Sequence, residues 1–452
     1  MNATAERFTH SREELRNIAD SVLKLARKAG ASDAATEISE GSGLSVSVRK
    51  GQIETIEQNQ DKVVCVTVFI GQRRGNASTS DFSHAALAAT VEAAYNIARF
   101  TAEDDCTSLA EEALLEKKPR DLDLFHPWNV SAEEAVAIAK RAERAALDVS
   151  PLIRNSDGAS VSAQQSHFVL ATTRGFNDGY AYSRHFISCA PIAGKGDNMQ
   201  RDDWYSSQRS AEQLAKPEDI GRYAAQRALA RLNAHGLSTR KCPVLFEAPL
   251  AAGLLGAFVQ AVSGGALYRK SSFLLDSLGK DVFAPHIRIA EEPHRARAMG
   301  SAPFDEEGVR TKAREVVTKG VVQGYFLSTY SARKLGMQTT GNAGGSHNLA
   351  LTSSLTKPAD DLAGMLRKMG TGLLVSDLMG QGVNYVTGDY SRGASGYWVE
   401  NGVIAYPVEE ITIAGNLKQM FKQIAAVGAD SLVRGTKETG SVLIEEMTIA
   451  GQ

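Results

Sequence analysis

This 452-residue sequence has few cysteines and no excess of charge of either sign. Its four cysteines are far apart and none has C-x-x-C spacing, which argues against a zinc knuckle, a thioredoxin-like pair or a disulfide framework. We therefore expect free thiols. Lys and Arg number 50 and Asp and Glu 52, a net charge of -2. A balance of this kind gives no indication of binding to nucleic acid or to an anionic membrane.

A membrane-spanning segment is also lacking. The stretch from Ala248 to Tyr268 has no charged residue, but it contains a proline, a glutamine, a serine and four glycines. A spanning helix needs about 20 strongly apolar residues, so we expect a buried helix of small residues here and no membrane association. The polar segment Met1 to His10 lacks the apolar core of a secretory signal, and a cytoplasmic protein is expected.

Short motifs of several enzyme classes are missing: there is no P-loop, no dinucleotide-binding G-x-G-x-x-G, no G-x-S-x-G and no H-E-x-x-H. Ser331 and Lys334 fit S-x-x-K, a nucleophile and base spacing found in some acylating enzymes. A four-residue pattern of this kind often arises by chance. A helical turn with a solvated lysine is the simpler interpretation.

Hydrophobic residues make up 43% of the chain and charged residues 23%, which is typical of a globular protein. The length favours about three domains, and we predict boundaries that give units 1–120, 121–238 and 239–452. In the first unit, Ser11 and Glu14 have the spacing of a capping box and begin a helix that ends near Gly30. Predicted strands at residues 44–48, 53–56 and 63–70, a turn at residues 71–75 and a second helix over residues 83–100 complete an α-β-β-β-α order.

The second unit repeats the capping box with Ser131 and Glu134, and an alanine-rich helix follows. Residues 152–207 then indicate short strands broken by Asp157-Gly158 and by other glycine turns. A helix over residues 217–233 closes the unit.

The third unit differs in composition, because it holds 27 of the 40 glycines. Glycine permits bulges, positive φ and close backbone approach, which favours strands and unusual loops over helices. The predicted fold class is α+β: N-terminal α/β units with mainly antiparallel sheets, followed by a larger, glycine-rich, β-dominated C-terminal domain with a buried helix.

Glycine-flanked polar clusters in the third unit are the candidate binding residues. They are TTGNAGGSHN (339–348), GTGLLVSDLMGQGVN (370–384) and TGDYSRGASGYWVENG (387–402). Glycines beside His347, Asp389 and Arg392 could expose backbone groups in a groove that accepts an extended peptide as an added strand. The alternative is a set of bulged turns that hold strands together, with Asp389 and Arg392 forming a local ion pair.

These clusters, together with GLSVSVRKGQIETIE, LYRKSSFLLDSLGK, SAPFDEEGVRT, STYSARKLG and PVEEITIAGNLK, carry a family resemblance. Over its whole length the chain resembles the TldE/PmbA subunits of the bacterial TldD/TldE metallopeptidase family. The resemblance implies a heterodimeric metallopeptidase in which the TldD-like subunit holds the metal. That subunit carries H-E-x-x-x-H on a buried helix, with a C-terminal cysteine as a further ligand, and its metal lowers the pKa of a bound water.

This chain departs from the motif at the decisive place. The equivalent helix is the uncharged stretch 248–268, where Val259 and Gly264 stand at the two histidine positions and Gln260 stands at the glutamate position. Val and Gly cannot coordinate a cation, and Gln cannot act as a general base near neutral pH. The tail 433–452 has no cysteine. No catalytic, metal or cofactor residue is therefore assigned, and zinc is expected in the TldD-like partner.

The resemblance accordingly implies a non-catalytic subunit that helps to present unfolded peptides to a TldD-like paralogue, as a heterodimer. When the partner is absent, a homodimer that uses the same face is expected. An alternative role is a regulatory protein that binds DNA gyrase and has no proteolytic function. A third, an independent enzyme built on Ser331 and Lys334 or on the Asp389 and Arg392 cluster, requires chemistry that the sequence does not otherwise support.

Overall fold

The computed structural model describes residues 8–451, so residues 1–7, on which the signal prediction partly depends, lie outside the described part of the chain. The α-helices of the described chain are α1 Arg12–Lys28, α2 His84–Phe100, α3 Ala132–Leu147, α4 Pro217–Ala230, α5 Ala248–Ala261, α6 Gly264–Tyr268, α7 Thr329–Lys334, α8 Leu362–Met369 and α9 Leu417–Lys422. The predicted capping boxes are confirmed at the starts of α1 and α3, where Ser11 pairs with Glu14 and Ser131 with Glu134.

The strands belong to three sheets. They are β1 Asp33–Arg49, β2 Gln52–Ile70, β3 Arg73–Thr79, β4 Ile153–Thr172, β5 Asn177–Asp178, β6 Ala181–Ala193, β7 Gln200–Arg201, β8 Trp204–Gln208, β9 Arg240–Phe246, β10 Ile287–Glu291, β11 Arg314–Thr318, β12 Val321–Val322, β13 Leu349–Ser353, β14 Gly372–Met379, β15 Asp389–Glu400, β16 Val403–Asn416, β17 Ile424–Val427, β18 Leu432–Arg434, β19 Lys437–Thr439 and β20 Val442–Ala450.

The first sheet is antiparallel and has the order β3-β2-β1-β4-β6-β7, with β5 paired to β4 and β8 paired to β6. It joins strands from the first two predicted units, because β1 pairs with β4 over most of its length. Side chains alternate between the two faces of a strand. On one face, Ile38 of β1 lies opposite Val169 of β4, and this pair packs under α1 and α2. Further along the same face, Val46 lies opposite Val161, and this pair packs under α3 and α4.

The opposite face of the first sheet carries the odd-numbered residues of β1, including Glu37 and Ser39, beside Leu170 and Phe168 of β4. No α-helix of residues 8–451 contributes a residue to the apolar cluster on this side. Leu170 instead joins an apolar cluster with Phe304 and other residues of the C-terminal region. The sheet is therefore covered by helices on one side and by C-terminal loops on the other.

The C-terminal region contains the other two sheets. One has the order β12-β11-β10-β13-β19-β18. The other has the order β16-β15-β14-β9-β20-β17, and an additional pairing of β16 with β20 closes five of its strands into a ring. The largest apolar cluster of the described chain lies between these sheets and includes Leu255 and Phe258 of α5. The predicted fold class, with a buried small-residue helix in a β-dominated domain, is confirmed.

Two details of the strand prediction are wrong. The segments Ile53–Ile56 and Val63–Ile70 belong to one continuous strand, β2, because β1 pairs with it from end to end. Asp157-Gly158 is a bulge inside β4 and not a turn between strands, since the register shifts there while pairing with β6 continues. Gly158 has φ +107°, and a Cβ atom on it would lie 2.5 Å from the Val48 carbonyl oxygen, so the bulge requires glycine.

No helix within residues 8–451 is both long and apolar enough to cross a membrane. The uncharged stretch 248–268 forms two helices, α5 and α6, that are separated at Ser263, whose hydroxyl caps α6. All four cysteines are free as expected, but only Cys189 and Cys242 are buried.

Candidate functional site

A cavity of about 350 Å³ lies between the face of the first sheet that carries Glu37 and two loops of the C-terminal region. The sheet contributes Glu37 and Phe168, and Tyr180 stands directly before β6. The loops contribute residues 299–306 and 343–347, and the second of these belongs to the TGNAGGSHN cluster. Of the three sequence-predicted binding residues, His347 is the one that lines this cavity.

A buried carboxylate holds the loop that carries His347. Glu291, at the end of β10, accepts hydrogen bonds from the His347 backbone N–H at 2.8 Å, from Asn342 Nδ2 at 2.8 Å and from Arg314 Nε at 2.7 Å. The Glu291 side chain is 1% exposed, so each donor satisfies a carboxylate that water does not reach. His347 Nε2 lies 2.9 Å from the Gly341 carbonyl oxygen, which makes the imidazole part of the same loop support.

The glycines of this loop permit close approach to an acidic side chain. Gly344 has φ +93°, and a Cβ atom there would lie 2.5 Å from the carboxyl carbon of Glu306. Any other residue would therefore be strained and would also displace Glu306. The glycine pattern in the sequence indicated exposed backbone, and in the structure it makes room for a carboxylate at the cavity wall.

A second buried acid, Asp305, supports the facing loop. Its carboxylate accepts hydrogen bonds from the backbone N–H groups of Glu307 and Val309, each at 2.9 Å, and of Ala343 at 3.0 Å. Burial and the nearby Glu307 charge raise the pKa of Asp305 to about 7, even though the three N–H donors favour the ionised form. Asp305 thus ties the two loops together and titrates near neutral pH.

The sheet side of the cavity combines aromatic rings with charged groups. Burial, together with the charge of Glu306, raises the pKa of Glu37. Burial raises the pKa of the Tyr180 hydroxyl to about 12, so it stays protonated. Arg209 donates to the carbonyl oxygens of Ser183 and Met299 and lies 5.5 Å over the Tyr182 ring, while burial lowers its pKa.

These groups suit binding better than bond cleavage. The rings of Phe168, Tyr180 and Phe304 pack edge to face at 4.8 to 6.2 Å and form an apolar wall. Glu37 and Glu306 can accept hydrogen bonds from a peptide backbone or from a basic side chain. The lining of the cavity contains no serine paired with a histidine and no cluster of metal ligands.

Asp389 and Arg392 lie at the start of β15, outside this cavity. Asp389 is exposed and accepts hydrogen bonds from Thr387 Oγ1 at 2.6 Å and Asn416 Nδ2 at 3.1 Å, which lower its pKa. Arg392 donates to the Leu378 carbonyl oxygen at 3.3 Å. The two side chains form no ion pair with each other in the described chain. The structure therefore does not bring His347, Asp389 and Arg392 into one site.

Ser331 and Lys334 do not form a nucleophile and base pair. The Ser331 hydroxyl is buried at the start of α7, where it and Ser328 form a capping pair. Lys334 Nζ lies 2.8 Å from Asp104 Oδ1, and the Tyr330 hydroxyl donates to the other oxygen of Asp104. Lys334 and Tyr330 lower the pKa of Asp104 to about 2. The lysine is thus engaged as a cation in a structural contact.

The helix that corresponds to the metal-binding helix offers no ligand. Val259 is partly buried, Gln260 is exposed, and Gly264 begins α6. A Cβ atom on Gly264 would lie 2.2 Å from Ser331 Oγ and 2.5 Å from Ser331 Cβ. The space into which a histidine at residue 264 would extend is already filled, so the residues present do not fit a metal at this helix.

One group of potential ligands does occur elsewhere in residues 8–451. Asp104, Asp105 and Cys106 have donor atoms within 4.8 Å of one another. However, Asp104 already pairs with Lys334 and Tyr330, and Asp104 Oδ1 also accepts the Cys106 backbone N–H at 3.0 Å. The group is a capped turn on the surface and gives no independent indication of a metal.

Sequence reasoning missed most of the residues that line the cavity. Glu37 lies in an alternating strand that has no distinguishing motif, and Arg209 follows β8 without one. Asp305 and Glu306 stand in SAPFDEEGVRT, one of the stretches that carry the family resemblance, and three successive acidic residues beside a glycine were the available signal.

Comparison with known families identifies matches along nearly the whole chain. The model described as PmbA/TldA metallopeptidase C-terminal domain matches residues 239–451. The models described as the central domain and domain 1 of the same metallopeptidases match residues 125–232 and 36–98.

Two relatives match over nearly their full length, and a third matches over less than half of its own. A protein of Haemophilus influenzae named metalloprotease PmbA homolog is 47% identical over 97% of this chain and 96% of its own. Metalloprotease PmbA of Escherichia coli O157:H7 is 46% identical over 98% of this chain and 97% of its own. A second Haemophilus influenzae protein, named metalloprotease TldD homolog, is 26% identical over 46% of this chain and 45% of its own.

Solved structures share the fold. A Bacteroides thetaiotaomicron protein named for modulation of DNA gyrase superposes with a TM-score of 0.91 at 25% identity and covers 97% of this chain and 99% of its own. A Thermotoga maritima protein with a similar name superposes with a TM-score of 0.85 at 26% identity and covers 96% of this chain and 99% of its own. TldE from Thermococcus kodakarensis superposes with a TM-score of 0.84 and covers 96% of this chain and 100% of its own. Its identity is 18%, so this likeness supports the fold alone.

Proposed function

Because the chain belongs to the PmbA/TldD metallopeptidase family, we propose that it is the subunit without metal ligands of a two-chain peptidase. A TldD-like chain supplies the zinc and the hydrolysis. The chain described here binds unfolded peptides and presents them to that partner. Zinc bound in the partner would activate a water molecule for attack on the peptide bond.

The observation that carries this proposal is the contact of Gly264 with Ser331. Loss of two ligands by substitution alone could leave a cavity in which a metal binds through other groups. Here Ser331 occupies the volume that the second histidine would need, and Gln260 is exposed. The site is therefore rebuilt as packing between α6 and α7, which supports a subunit that does not hold the metal.

The cavity beside His347 supports the peptide-binding role. It lies against the sheet face that carries Glu37 and Phe168, and it combines an aromatic wall with carboxylates that can accept peptide N–H groups. His347 contributes through its loop, since its imidazole is already bonded to Gly341. Asp389 and Arg392 stay candidates for a separate peptide contact at the exposed start of β15.

A TldD-like partner is supported by the relatives. Haemophilus influenzae has one protein named as a PmbA homolog and another named as a TldD homolog, and this chain matches both. We propose a heterodimer with such a chain in the cytoplasm, and a homodimer through the same surface when the partner is missing.

The test is a comparison of this chain, a TldD-like chain from the same genome, and the equimolar mixture. Each is assayed with a fluorogenic, unstructured peptide, with and without a chelator, and each is analysed for zinc. We expect hydrolysis by the mixture, its loss with the chelator, and zinc only in preparations that contain the partner. Hydrolysis by this chain alone, or one equivalent of zinc bound at residues 259–264, would contradict the proposal.

A pair of variants tests the cavity in the assembled enzyme. Glu37→Gln removes a carboxylate from the cavity wall, whereas Glu57→Gln removes one from an exposed part of β2. We expect the first to raise KM for the peptide with little change in kcat, and the second to change neither. Equal effects of the two would argue against peptide binding at this cavity.

The alternative role, a regulatory protein that binds DNA gyrase, rests on the names of the Bacteroides and Thermotoga proteins. Recovery of gyrase on the immobilised, purified chain, in the absence of a TldD-like protein, would favour it. The same experiment with only the TldD-like chain recovered would favour the peptidase subunit.

A further inference from the structure

A second cavity, of about 460 Å³, lies between the edges of two sheets. One edge is β8, which among residues 8–451 pairs with β6 alone. The other is β18, which in the same part of the chain pairs with β19 alone. Unpaired strand edges present backbone N–H and C=O groups that can pair with an extended chain.

The two edges are held side by side by one arginine. Arg434 Nη1 on β18 donates to the Tyr205 carbonyl oxygen on β8 at 3.2 Å. The same guanidinium lies 4.1 Å from the ring centroids of Trp204 and Tyr205. This stacking fixes the guanidinium at the cavity wall.

The charge of this cavity is strongly positive. Its lining contains five cations and one carboxylate, namely Arg184, Arg295, Arg297, Arg434, Lys437 and Glu438. Arg295 pairs with Glu438, and Arg297 pairs with Asp123. The other three cations have no carboxylate oxygen within 4.0 Å in residues 8–451.

Two of these three cations are partly withdrawn from water. The Lys437 stem packs on α5, with its Cε 3.6 Å from the position of a Cβ atom on Gly256. Burial lowers the pKa of Lys437 and, together with the nearby Arg227, that of Arg434. Asp203 lies near enough for its charge to raise the pKa of Arg434, but it forms no ion pair with it. Partly desolvated cations that no carboxylate contacts are favourable partners for an anion, and their presence in one cavity therefore points to an anionic ligand.

We propose that this cavity binds the acidic segment of an extended peptide, whose carboxylates pair with Arg184, Arg434 and Lys437 and whose backbone lies along the edges of β8 and β18. The inference rests on the proposed peptide-binding function and names the chemistry of the segment recognised. Met299 lines this cavity and also the cavity beside His347. One peptide can therefore place an acidic part here and a neighbouring part there.

A peptide fits this cavity better than a nucleic acid does. Bases bind single-strand sites by stacking on free aromatic faces, and here the Arg434 guanidinium already lies over both Trp204 and Tyr205. The strand edges, in contrast, match the hydrogen-bonding pattern of a polypeptide backbone.

The test uses the full chain without any partner and measures binding of fluorescent hexapeptides by anisotropy at low and at physiological salt. The peptides are one rich in Glu and Asp, its Gln and Asn counterpart, and the acidic peptide with an amidated C-terminus. We expect the acidic peptide to bind at least about tenfold more tightly than its neutral counterpart, which corresponds to about 1.4 kcal/mol. The amidated form distinguishes recognition of side-chain carboxylates from recognition of the terminal carboxylate.

Three variants complete the design. Arg184→Gln and Lys437→Gln should each weaken binding of the acidic peptide by about three- to tenfold and leave binding of the neutral peptide unchanged. Arg154→Gln is the matched control, because Arg154 is an exposed arginine of β4 outside the cavity, and it should have no effect.

Equal binding of acidic and neutral peptides would overturn the inference. Unchanged binding in both cavity variants would do so too, as would binding of inorganic phosphate or an oligonucleotide in place of the peptide. This experiment measures binding and not hydrolysis. Failure of the two-chain peptidase assay would therefore not contradict the binding result, and absence of acidic-peptide binding would not contradict the peptidase result.

Discussion

A Cβ atom on Gly264 would lie 2.2 Å from the Oγ of Ser331, so α6 and α7 approach each other through a position that only glycine can occupy. Ser331 is held there by the capping pair with Ser328 at the start of α7. Ser331 of the S-x-x-K pattern and Gly264, which replaces the second histidine, therefore contact each other, although the sequence gives no sign that they are connected.

The first prediction concerns the stability of this contact. Gly264→Ala should reduce the free energy of unfolding by about 1–3 kcal/mol, because the added methyl group overlaps Ser331. Gly253→Ala on α5 is the control, since nothing lies within 4 Å of its Cβ position, and it should stabilise the chain by up to about 1 kcal/mol through helix propensity.

A double-mutant cycle separates this clash from general damage to the helix. Ser331→Gly alone is destabilising, since it removes the hydroxyl that accepts the Ser328 backbone N–H in the capping box of α7. In combination with Gly264→Ala, the loss should be smaller than the sum of the two single losses by at least about 0.5 kcal/mol, as measured by urea unfolding. Strictly additive losses would show that the two residues do not crowd each other.

The second prediction concerns the support of the His347 loop. Glu291→Gln replaces one carboxylate oxygen by an NH₂ group. Depending on the orientation of the amide, that group faces either the Arg314 donor or the donors of Asn342 and the His347 backbone. We expect a loss of roughly 2–4 kcal/mol in stability and faster amide hydrogen exchange across residues 341–347. Glu315→Gln on the neighbouring strand β11 removes an exposed ion pair with Arg288, and it should cost at most about 1 kcal/mol. Similar losses in both variants would show that burial of Glu291 is unimportant.

Local signals made the helices predictable, and long-range contacts made the site unpredictable. Ser11 and Glu14 are three positions apart, and the spacing alone identifies the start of α1. Glu291 and the His347 backbone are 56 positions apart, and neither segment carries a sequence signal that indicates contact with the other. The same limit applies to β2, whose first half has no apolar period and is a strand because β1 pairs with it.

The polar residues that share a sequence pattern are separated in the structure for a related reason. His347, Asp389 and Arg392 share a sequence pattern, glycine beside a polar side chain, but glycine serves a different contact at each place. Gly344 makes room for Glu306, whereas Gly388, with φ +86°, precedes β15 and lies beside Phe273 and Asn416. A common composition therefore did not indicate a common site.

The third prediction concerns pH. Asp305 has a pKa of about 7 when folded, against an ordinary value of 3.8. For an acid whose pKa is raised by folding, the folded state is favoured while the group is protonated, so its contribution to stability falls as the pH rises from about 4 to about 7. The slope is at most about 1.4 kcal/mol per pH unit. Asp305→Asn should remove this slope. The free energy of unfolding of the variant, measured with urea, should therefore rise relative to that of the parent protein between pH 5 and pH 7.5. Parallel stability profiles would contradict the raised pKa.

The fourth prediction concerns two adjacent acids, Glu306 and Glu307, each of which should affect the pKa of a different carboxyl group. The charge of Glu306 contributes to the raised pKa of Glu37, and the charge of Glu307 contributes to that of Asp305. Glu306→Gln should therefore lower the pKa of Glu37 and leave that of Asp305 nearly unchanged, while Glu307→Gln should do the reverse. Burial is the larger cause in both cases, so both pKa values should stay above their ordinary values. Carboxyl ¹³C titration by NMR, with signals assigned by Glu37→Gln and Asp305→Asn, measures both. A change of equal size in both pKa values after either substitution would contradict this assignment of the two charges.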